Sequence, residues 1–319
     1  MPGRSYLFVP GNRPDRFEKA RDAGADAVIL DLEDAVPVES KAEARAAIAA
    51  WLDPDRPAYV RVNGAATEWF EADLEAIARP GIAGVVLPKA ETPDDIARVS
   101  ARIPEGASVL PLLETAPGVW EARDLAEAPR VERLAFGSID FQLDTGIDGE
   151  SEELLYARSR LVLASRVAGV LPPLDGVTAA LDDPARLAAD VDHARRLGFG
   201  GKLCIHPDQV EAINQGFAPV RPRSPGPAES WRHPKGPGRS GSEERWSTVP
   251  SSSARGGYWR GPPTRISGED ACSESAPPAA SLVGGRFGRA GSPVRRLLCE
   301  AIQSTGTSVL QESGRYAST

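Results

Sequence analysis

The stretch VLPLLETAPGVWEARDLAEAPRVERLAF, residues 109–136, contains one strand–helix–strand unit of the kind that decides the fold of this chain. Its two apolar runs, residues 109–113 and 134–136, are predicted strands, and residues 118–126 between them are predicted to be helical. Glu114 directly follows the first of these strands. Units of this type predict a parallel sheet whose strands are joined by helices.

The same alternation occurs eight times between Ser5 and about Phe217. The other six predicted strands are residues 5–9, 27–32, 58–62, 84–87, 174–177 and 202–205. Residues 27–32 are nearly all apolar, as expected for a strand that is buried on both faces. Eight alternations, with no G-x-G-x-x-G after the first strand, predict an α/β fold of the TIM-type (β/α)8 barrel class rather than a doubly wound dinucleotide-binding sheet.

Helices are predicted between the strands from apolar periodicity and capping residues. They cover residues 14–23, 40–51, 68–78, 92–103, 118–126, 152–168 and 184–197, with a last helix after Pro207. Ser40 and Thr92 have side chains suited to capping the helices that follow them. Residues 137–151 are predicted to form a long loop.

The composition of the chain changes after Pro219. Of residues 221–319, 42 are Gly, Pro or Ser, and only 11 are Leu, Ile, Val or Phe. That apolar share is below the roughly 20% that a folding chain needs. The sequence therefore predicts a barrel domain over residues 1–219 and an atypical Gly/Pro/Ser/Arg-rich tail over residues 220–319. This tail is either disordered or a stretch of a GC-rich gene read out of frame.

The two parts of the chain also differ in charge. Residues 1–220 have a net charge of -14, and residues 221–319 have a net charge of +6. An acidic main body argues against a nucleic-acid partner, because phosphate binding needs clustered Lys and Arg. No signal peptide or membrane-spanning run is recognisable, and the three cysteines lack metal-type spacing. A cytoplasmic protein without a membrane partner is expected.

Three predicted strand ends carry side chains suited to one chemical task. Arg61 lies at the end of the third strand, Glu114 closes the fifth, and Asp140 follows the sixth. The carboxyl ends of barrel strands form the active-site face, and two carboxylates there favour a cation such as Mg²⁺. Alternatively, either carboxylate caps a helix or pairs with a surface lysine. Arg61 either makes a structural ion pair with Asp31 or Glu33, or grips a carboxylate or thioester oxygen of a substrate.

A second group of charged residues is expected to support the first. Asp31, Glu33 and Asp34 crowd the end of the second strand. Three acids in four residues need cations nearby, so they are predicted to fix Arg61 or Lys89. They are also suited to hydrogen-bonding the waters of a bound metal ion.

Two residues in or next to the eighth predicted strand are of types that often have structural roles. His206, in the run LCIHPDQV, is either a base or, more in keeping with its setting, a donor or acceptor of a structural hydrogen bond. Cys204 lies inside the strand and is predicted to be a buried apolar residue. The chain has no G-x-S-x-G that would support a Ser–His–Asp nucleophile.

At this level of detail the chain resembles the CitE-like branch (citrate lyase beta-chain-like, or CoA-ester lyase) of the HpcH/HpaI aldolase family. The segments that carry the resemblance are SYLFVPGNRPDRFEKA, VILDLEDAV, VRVNG, VVLPKAE, LLETAPGV, FGSIDF and GKLCIHPDQV, in order along residues 5–219. The resemblance implies a TIM-type barrel that assembles as a homotrimer or hexamer. It also implies Mg²⁺ held by Glu114 and Asp140, with Arg61 and Glu114 contacting the substrate.

The resemblance further implies the chemistry of the family. Its members cleave or form a carbon–carbon bond in 3-hydroxy acyl thioesters of the citramalyl, malyl or citryl type, giving an acetyl thioester and a 2-oxo acid. The thioester is carried by CoA or by an acyl carrier protein. The chain is therefore predicted to be a Mg²⁺-dependent oxo-acid-lyase.

The chain departs from the family where the catalytic base is expected. CoA-ester lyases of the family have an Asp in a C-terminal M-V-D motif that reaches a neighbouring subunit's site. In this chain Met1 is the only methionine, and Asp270 is the only aspartate beyond Asp208. Two alternatives to the lyase therefore stay open: a malyl-CoA-type thioesterase, and an acyl-CoA-binding barrel that is catalytically impaired because this segment is missing.

Overall fold

Residues 3–219, which the computed structural model describes, form a closed barrel of eight parallel strands surrounded by helices. The strands are β1 (Ser5–Pro10), β2 (Ala27–Asp31), β3 (Ala58–Arg61), β4 (Ile82–Leu87), β5 (Ser108–Leu113), β6 (Ala135–Phe136), β7 (Leu174–Asp175) and β8 (Gly201–Cys204). Each strand pairs with its neighbour in sequence, and β8 pairs with β1. The predicted TIM-type barrel is confirmed.

Helices connect the strands and cover the outside of the barrel. They are α1 (Phe17–Asp22), α2 (Lys41–Trp51), α3 (Phe70–Ile77), α4 (Pro93–Ser100), α5 (Ala116–Trp120), α6 (Ala122–Ala126), α7 (Ser138–Thr145), α8 (Leu155–Ala168), α9 (Pro184–Leu197) and α10 (Val210–Gly216). Within residues 3–219, no helix is long and apolar enough to cross a membrane. The tail predicted over residues 220–319, together with Cys272 and Cys299, lies outside the described residues, so the division at Pro219 stays a prediction.

Three local predictions are wrong. The segment after β6 is not a loop throughout, because α7 begins at Ser138, and Phe141 packs back on Phe136 with ring centroids 5.6 Å apart. The helix predicted over residues 118–126 is divided into α5 and α6. Ser40 ends a 3-10 turn with helical backbone angles, and its side chain makes no cap hydrogen bond. Thr92 does cap α4, since its hydroxyl accepts the amide of Asp95.

The core has two layers because strand side chains alternate between the barrel interior and the surrounding helices. The interior cluster includes Phe8, Ile29 and Leu203, and residues such as Leu30 belong to the larger cluster between strands and helices. Both faces of each strand are therefore buried, which explains the nearly continuous apolar run in β2.

The amino end of the barrel is closed by polar side chains. The hydroxyls of Tyr59 and Ser108 donate to the same carboxylate oxygen of Glu132, at 2.8 and 2.7 Å. Arg133 is fully buried there and donates to the carbonyl oxygens of Gly3 and Pro172. The pocket among the described residues that is lined by strand ends lies at the opposite end, where the strands finish.

Candidate active site

Arg61 is held rigidly at the carboxyl end of β3. Its Nε and Nη2 donate to the two oxygens of Asp31, the residue opposite it on β2, at 2.7 Å each. The same two oxygens accept the amides of Glu33 and Ala35 at 2.9 and 3.0 Å. On its other side the guanidinium lies 4.7 Å from the ring centre of Phe8. This bidentate fork fixes the orientation of the guanidinium before any substrate arrives.

The charge of Arg61 is secured by its neighbours. Burial alone lowers the pKa of Arg61, but Asp31 and Glu33 raise it well above its ordinary value. Asp31 is fully buried and Arg61 is almost so. Arg61 is therefore permanently charged. It forms the structural ion pair with Asp31 and also lies at the barrel mouth.

Glu33 connects Arg61 to Lys89, which follows β4. One oxygen of Glu33 lies 3.2 Å from Nη1 of Arg61, and the other accepts Nζ of Lys89 at 2.5 Å. Lys89 Nζ also lies 3.4 Å from Oε1 of Glu114. Charges of alternating sign thus run from β2 through β3 and β4 to the end of β5.

Lys89 also determines which oxygen of Glu114 remains available. Its backbone amide donates to Oε1 of Glu114 at 3.0 Å, so amide and ammonium both face the same oxygen. Lys89 has a φ of 51°, in the left-handed region that residues other than glycine rarely adopt. The other oxygen, Oε2, faces Gly137, where an added Cβ would lie 2.5 Å from it. Oε2 therefore points towards the junction of β6 and α7.

Asp140 lies beside this junction, in the first turn of α7. It is partly exposed, and its negative charge raises the pKa of Glu114. The sequence places Asp140 after the sixth strand, but the structure puts it on a helix rather than in a loop. Asp140 therefore lies three residues after Gly137, and both line the same pocket.

A pocket opens between these groups. Its polar lining consists of Arg61, Glu114, Gly137, Ser138 and Asp140, and its apolar lining consists of Phe8, Leu112, Phe136, Ile139, Val177, Leu203 and Ile205. The cavity measures about 30 Å³. A volume of this size accommodates roughly one or two water-sized groups, which matches an ion and a small substrate head at the inner end of a wider mouth.

Several acids lie close together at the barrel mouth. The pKa of Glu114 is raised to about 8, chiefly by burial; Lys89 opposes the rise, and Asp140, Glu33 and Asp34 add to it. Five carboxylates interact there with Lys41, Arg61 and Lys89, and they are those of Asp31, Glu33, Asp34, Glu114 and Asp140.

A divalent cation would lower the repulsion between carboxylates placed this close together. Within residues 3–219 there is no cluster of three or more His, Cys, Asp or Glu side chains arranged to hold a metal ion. Glu114 and Asp140 both line the pocket, and they stay the predicted pair of carboxylate ligands, with water and substrate oxygens expected at the remaining positions. Such a ligand set suits Mg²⁺, which typically uses one or two carboxylates.

Two supporting residues were missed by the sequence reasoning. Lys41 donates from Nζ to the carbonyls of Leu32 and Glu33 and to Oδ1 of Asn63, at 2.8, 3.1 and 2.7 Å. Asn63 in turn donates to the buried carboxylate of Asp73 at 2.6 Å. Together they fix the backbone that carries Glu33. The VRVNG motif contains Asn63, but Lys41 has no signal beyond its position at the start of a helix.

The residues near the end of β8 have structural roles. Nδ1 of His206 accepts the amide of Asp208 at 3.2 Å and caps the short turn that follows. Cys204 is fully buried, and burial raises the pKa of its thiol to about 12. Neither side chain lines the pocket.

The chain is similar to several known proteins. The model of the family described as HpcH/HpaI aldolase/citrate lyase matches residues 4–207. A citrate lyase subunit beta-like protein of Deinococcus radiodurans is 43% identical over 232 residues, which is 68% of this chain and 80% of that protein. A (3S)-malyl-CoA thioesterase of Cereibacter sphaeroides is 38% identical over 226 residues, covering 68% and 78%.

A solved structure is similar over the same part of the chain. It is the citrate lyase beta subunit of M. tuberculosis complexed with oxaloacetate and magnesium, with a TM-score of 0.62 and 34% identity. The match covers 68% of this chain and 97% of that one.

Proposed function

Because the chain belongs to the HpcH/HpaI aldolase/citrate lyase family, we propose that it is a Mg²⁺-dependent carbon–carbon lyase. Its substrate is a 3-hydroxy acyl thioester of the citramalyl, malyl or citryl type, and its products are an acetyl thioester and a 2-oxo acid. The observation that carries the proposal is the pocket in which Arg61, Glu114 and Asp140 meet. The oxaloacetate and magnesium of the M. tuberculosis neighbour support the metal and the 2-oxo acid.

Each of the three residues has a role in this proposal. Mg²⁺ held by Oε2 of Glu114 and by Asp140 would act as a Lewis acid that polarises the substrate oxygens. Arg61 places a fixed positive charge at the pocket, where it stabilises the negative charge that develops on the thioester enolate oxygen. The apolar side chains of Phe8, Leu112 and Leu203 exclude water from the reacting bond.

The proton of the substrate hydroxyl needs a base. Among the described residues, the titratable groups that line the pocket are Arg61, Glu114 and Asp140, and all three already have roles. The alternatives are therefore a thioesterase of the kind found in C. sphaeroides, and a barrel that binds an acyl-CoA without turnover. The thioester carrier is CoA or an acyl carrier protein, and the assembly proposed is a homotrimer or hexamer in the cytoplasm.

Product analysis tests the proposal. The full chain is incubated with citramalyl-CoA, malyl-CoA or citryl-CoA, with Mg²⁺ or with EDTA, and both the 2-oxo acid and free CoA are measured. A lyase releases the 2-oxo acid and an acetyl thioester only with Mg²⁺, and Glu114→Gln loses this activity. Free CoA without a 2-oxo acid would identify a thioesterase instead. Substrate binding without any product would identify the impaired barrel.

A further inference from the structure

Ser138 is the polar side chain of the pocket lining that has no role in the function proposed above. The other polar side chains of that lining are Arg61, Glu114 and Asp140. Ser138 is only 7% exposed, and within residues 3–219 its hydroxyl has no hydrogen-bond partner. A buried hydroxyl without a partner costs free energy. A ligand that accepts a hydrogen bond from Ser138 is therefore favoured in this pocket.

Packing holds the Ser138 hydroxyl in place. Ser138 is the first residue of α7, and the amide of Gly137 before it donates to the carbonyl of Leu113 at 3.0 Å. The oxygen of Ser138 lies directly against Gly176, which follows β7, so a Cβ added at Gly176 would overlap it. The carbonyl of Gly176 in turn accepts Nζ of Lys202 at 2.5 Å. The hydroxyl oxygen therefore has a fixed position between the ends of β6 and β7.

The surroundings of this hydroxyl favour an anionic ligand. Residues 137–140 all line the pocket, so the first turn of α7 borders it, and no side chain caps this helix. The first amides of a helix have no partner within the helix, and its amino end favours negative charge. The lining that follows β7 and belongs to β8 and its end is apolar, namely Val177, Leu203 and Ile205.

Resting on the function proposed above, we propose that the hydroxyl of Ser138 donates a hydrogen bond to the carboxylate of the 2-oxo acid. The same carboxylate is present in the 3-hydroxy acyl thioester. It has two oxygens, so one accepts this hydrogen bond while the other stays free for the metal ion. Ser138 is then a substrate-binding residue that selects for the carboxylate, whatever substituent the neighbouring carbon carries. Gly176 is a positioning residue that leaves room for the hydroxyl.

The test is calorimetry on the full chain with saturating Mg²⁺, using pyruvate and glyoxylate as probes. Both carry the carboxylate but differ in the substituent. Ser138→Ala is expected to raise the Kd of both probes by at least about 10-fold, because a hydrogen bond to a charged group is lost. Gly176→Ala is expected to give the same loss, because it displaces the hydroxyl. The Kd of Mg²⁺ alone should not change in Ser138→Ala.

Ser165→Ala is the matched control. Ser165 is 2% exposed, and its hydroxyl also lacks a hydrogen-bond partner among the described residues, but it lies on α8 and does not line the pocket. This variant should bind both probes like the wild type. Thermal unfolding checks that all three variants are folded.

Kinetics separate substrate binding from a merely structural role. The carboxylate is present before and during bond cleavage, so Ser138→Ala should raise KM for the acyl thioester with kcat nearly unchanged. A structural disturbance of the neighbouring Asp140 would lower kcat and weaken Mg²⁺ binding as well, and that result would overturn the assignment.

The remaining outcomes distinguish this role from the lyase function itself. Equal weakening of both probes by Ser138→Ala, with wild-type binding by Ser165→Ala, supports the assignment. Wild-type affinity of Ser138→Ala for both probes overturns it and leaves the lyase function standing. Weakening of pyruvate alone also overturns it, because the hydroxyl then contacts the substituent. If the wild-type chain binds neither probe in Mg²⁺ and releases no 2-oxo acid, both the assignment and the lyase function fail.

Discussion

Glu114→Gln is expected to have opposite effects on the stability of the metal-free and the metal-bound protein. In the folded, metal-free chain Glu114 has a pKa of about 8, against an ordinary value of 4.5, because it is buried among Asp140, Glu33 and Asp34. The folded state therefore holds this proton more tightly than the unfolded state does. The contribution of Glu114 to the stability of the metal-free protein is therefore fully present below pH 4.5 and is lost as the pH rises through 8.

The size of this effect follows from the two pKa values. Ionising Glu114 costs the folded, metal-free chain at most about 5 kcal/mol above pH 8. Glutamine avoids the charge but does not attract Lys89, so the expected gain in stability is smaller, about 2 kcal/mol. With saturating Mg²⁺ the order reverses, because only the wild-type carboxylate binds the metal ion.

The assay is chemical denaturation at several pH values between 5 and 9, in EDTA and in Mg²⁺. In EDTA at pH 9 the variant should be more stable than the wild type, and Mg²⁺ should stabilise only the wild type. Glu75→Gln on the exposed face of α3 is the control and should change neither result. A variant that is less stable than the wild type in EDTA at pH 9 would contradict the raised pKa of Glu114, and a variant that Mg²⁺ still stabilises would show that Glu114 is not needed to bind the metal ion.

Three further predictions concern the same site. Calorimetry should find that Mg²⁺ affinity rises about tenfold per pH unit up to pH 8, because binding releases the proton of Glu114; an affinity independent of pH between 6 and 8 would contradict this. Gly137→Ala should abolish Mg²⁺ binding, since its Cβ would lie 2.5 Å from both Cβ and Oε2 of Glu114, whereas Gly64→Ala meets only one atom, 4.0 Å away, and should bind normally. Asp31→Asn should lower kcat/KM at least about tenfold because Arg61 loses its bidentate charged partner, while calorimetric Mg²⁺ binding persists; loss of both together would indicate general disruption of the fold.

Much of this protein was predictable because a (β/α)8 barrel repeats one local unit. Apolar runs such as residues 27–32 and 109–113 predict buried strands, and the closure of the barrel brings all strand ends to one rim. The expectation that Arg61, Glu114 and Asp140 meet at that rim therefore needed only the order of the strands. The start of α7 was missed for two reasons. β6 has only two residues, and Phe141 packs on Phe136, a contact that the hydrophobic pattern of the sequence does not reveal.

The pairing of side chains was decided only by the tertiary structure. The sequence indicates that Asp31, Glu33 and Lys89 belong near the site, but the register of β2, β3 and β4 determines that Asp31 holds Arg61 and that Glu33 bridges Arg61 to Lys89. The exposure of apolar side chains on α8, such as Leu163, likewise depends on which helix faces stay uncovered once the barrel has closed.

Which oxygen of Glu114 is available to a metal ion was also decided only by the tertiary structure. The sequence determined that a carboxylate closes β5 and that a glycine follows β6. Lys89, with its left-handed backbone, directs two donors to Oε1, and Gly137 leaves room beside Oε2. Whether an oxygen atom is free to bind a metal ion depends on distances of a few ångströms between segments far apart in the chain, and only the folded arrangement sets those distances.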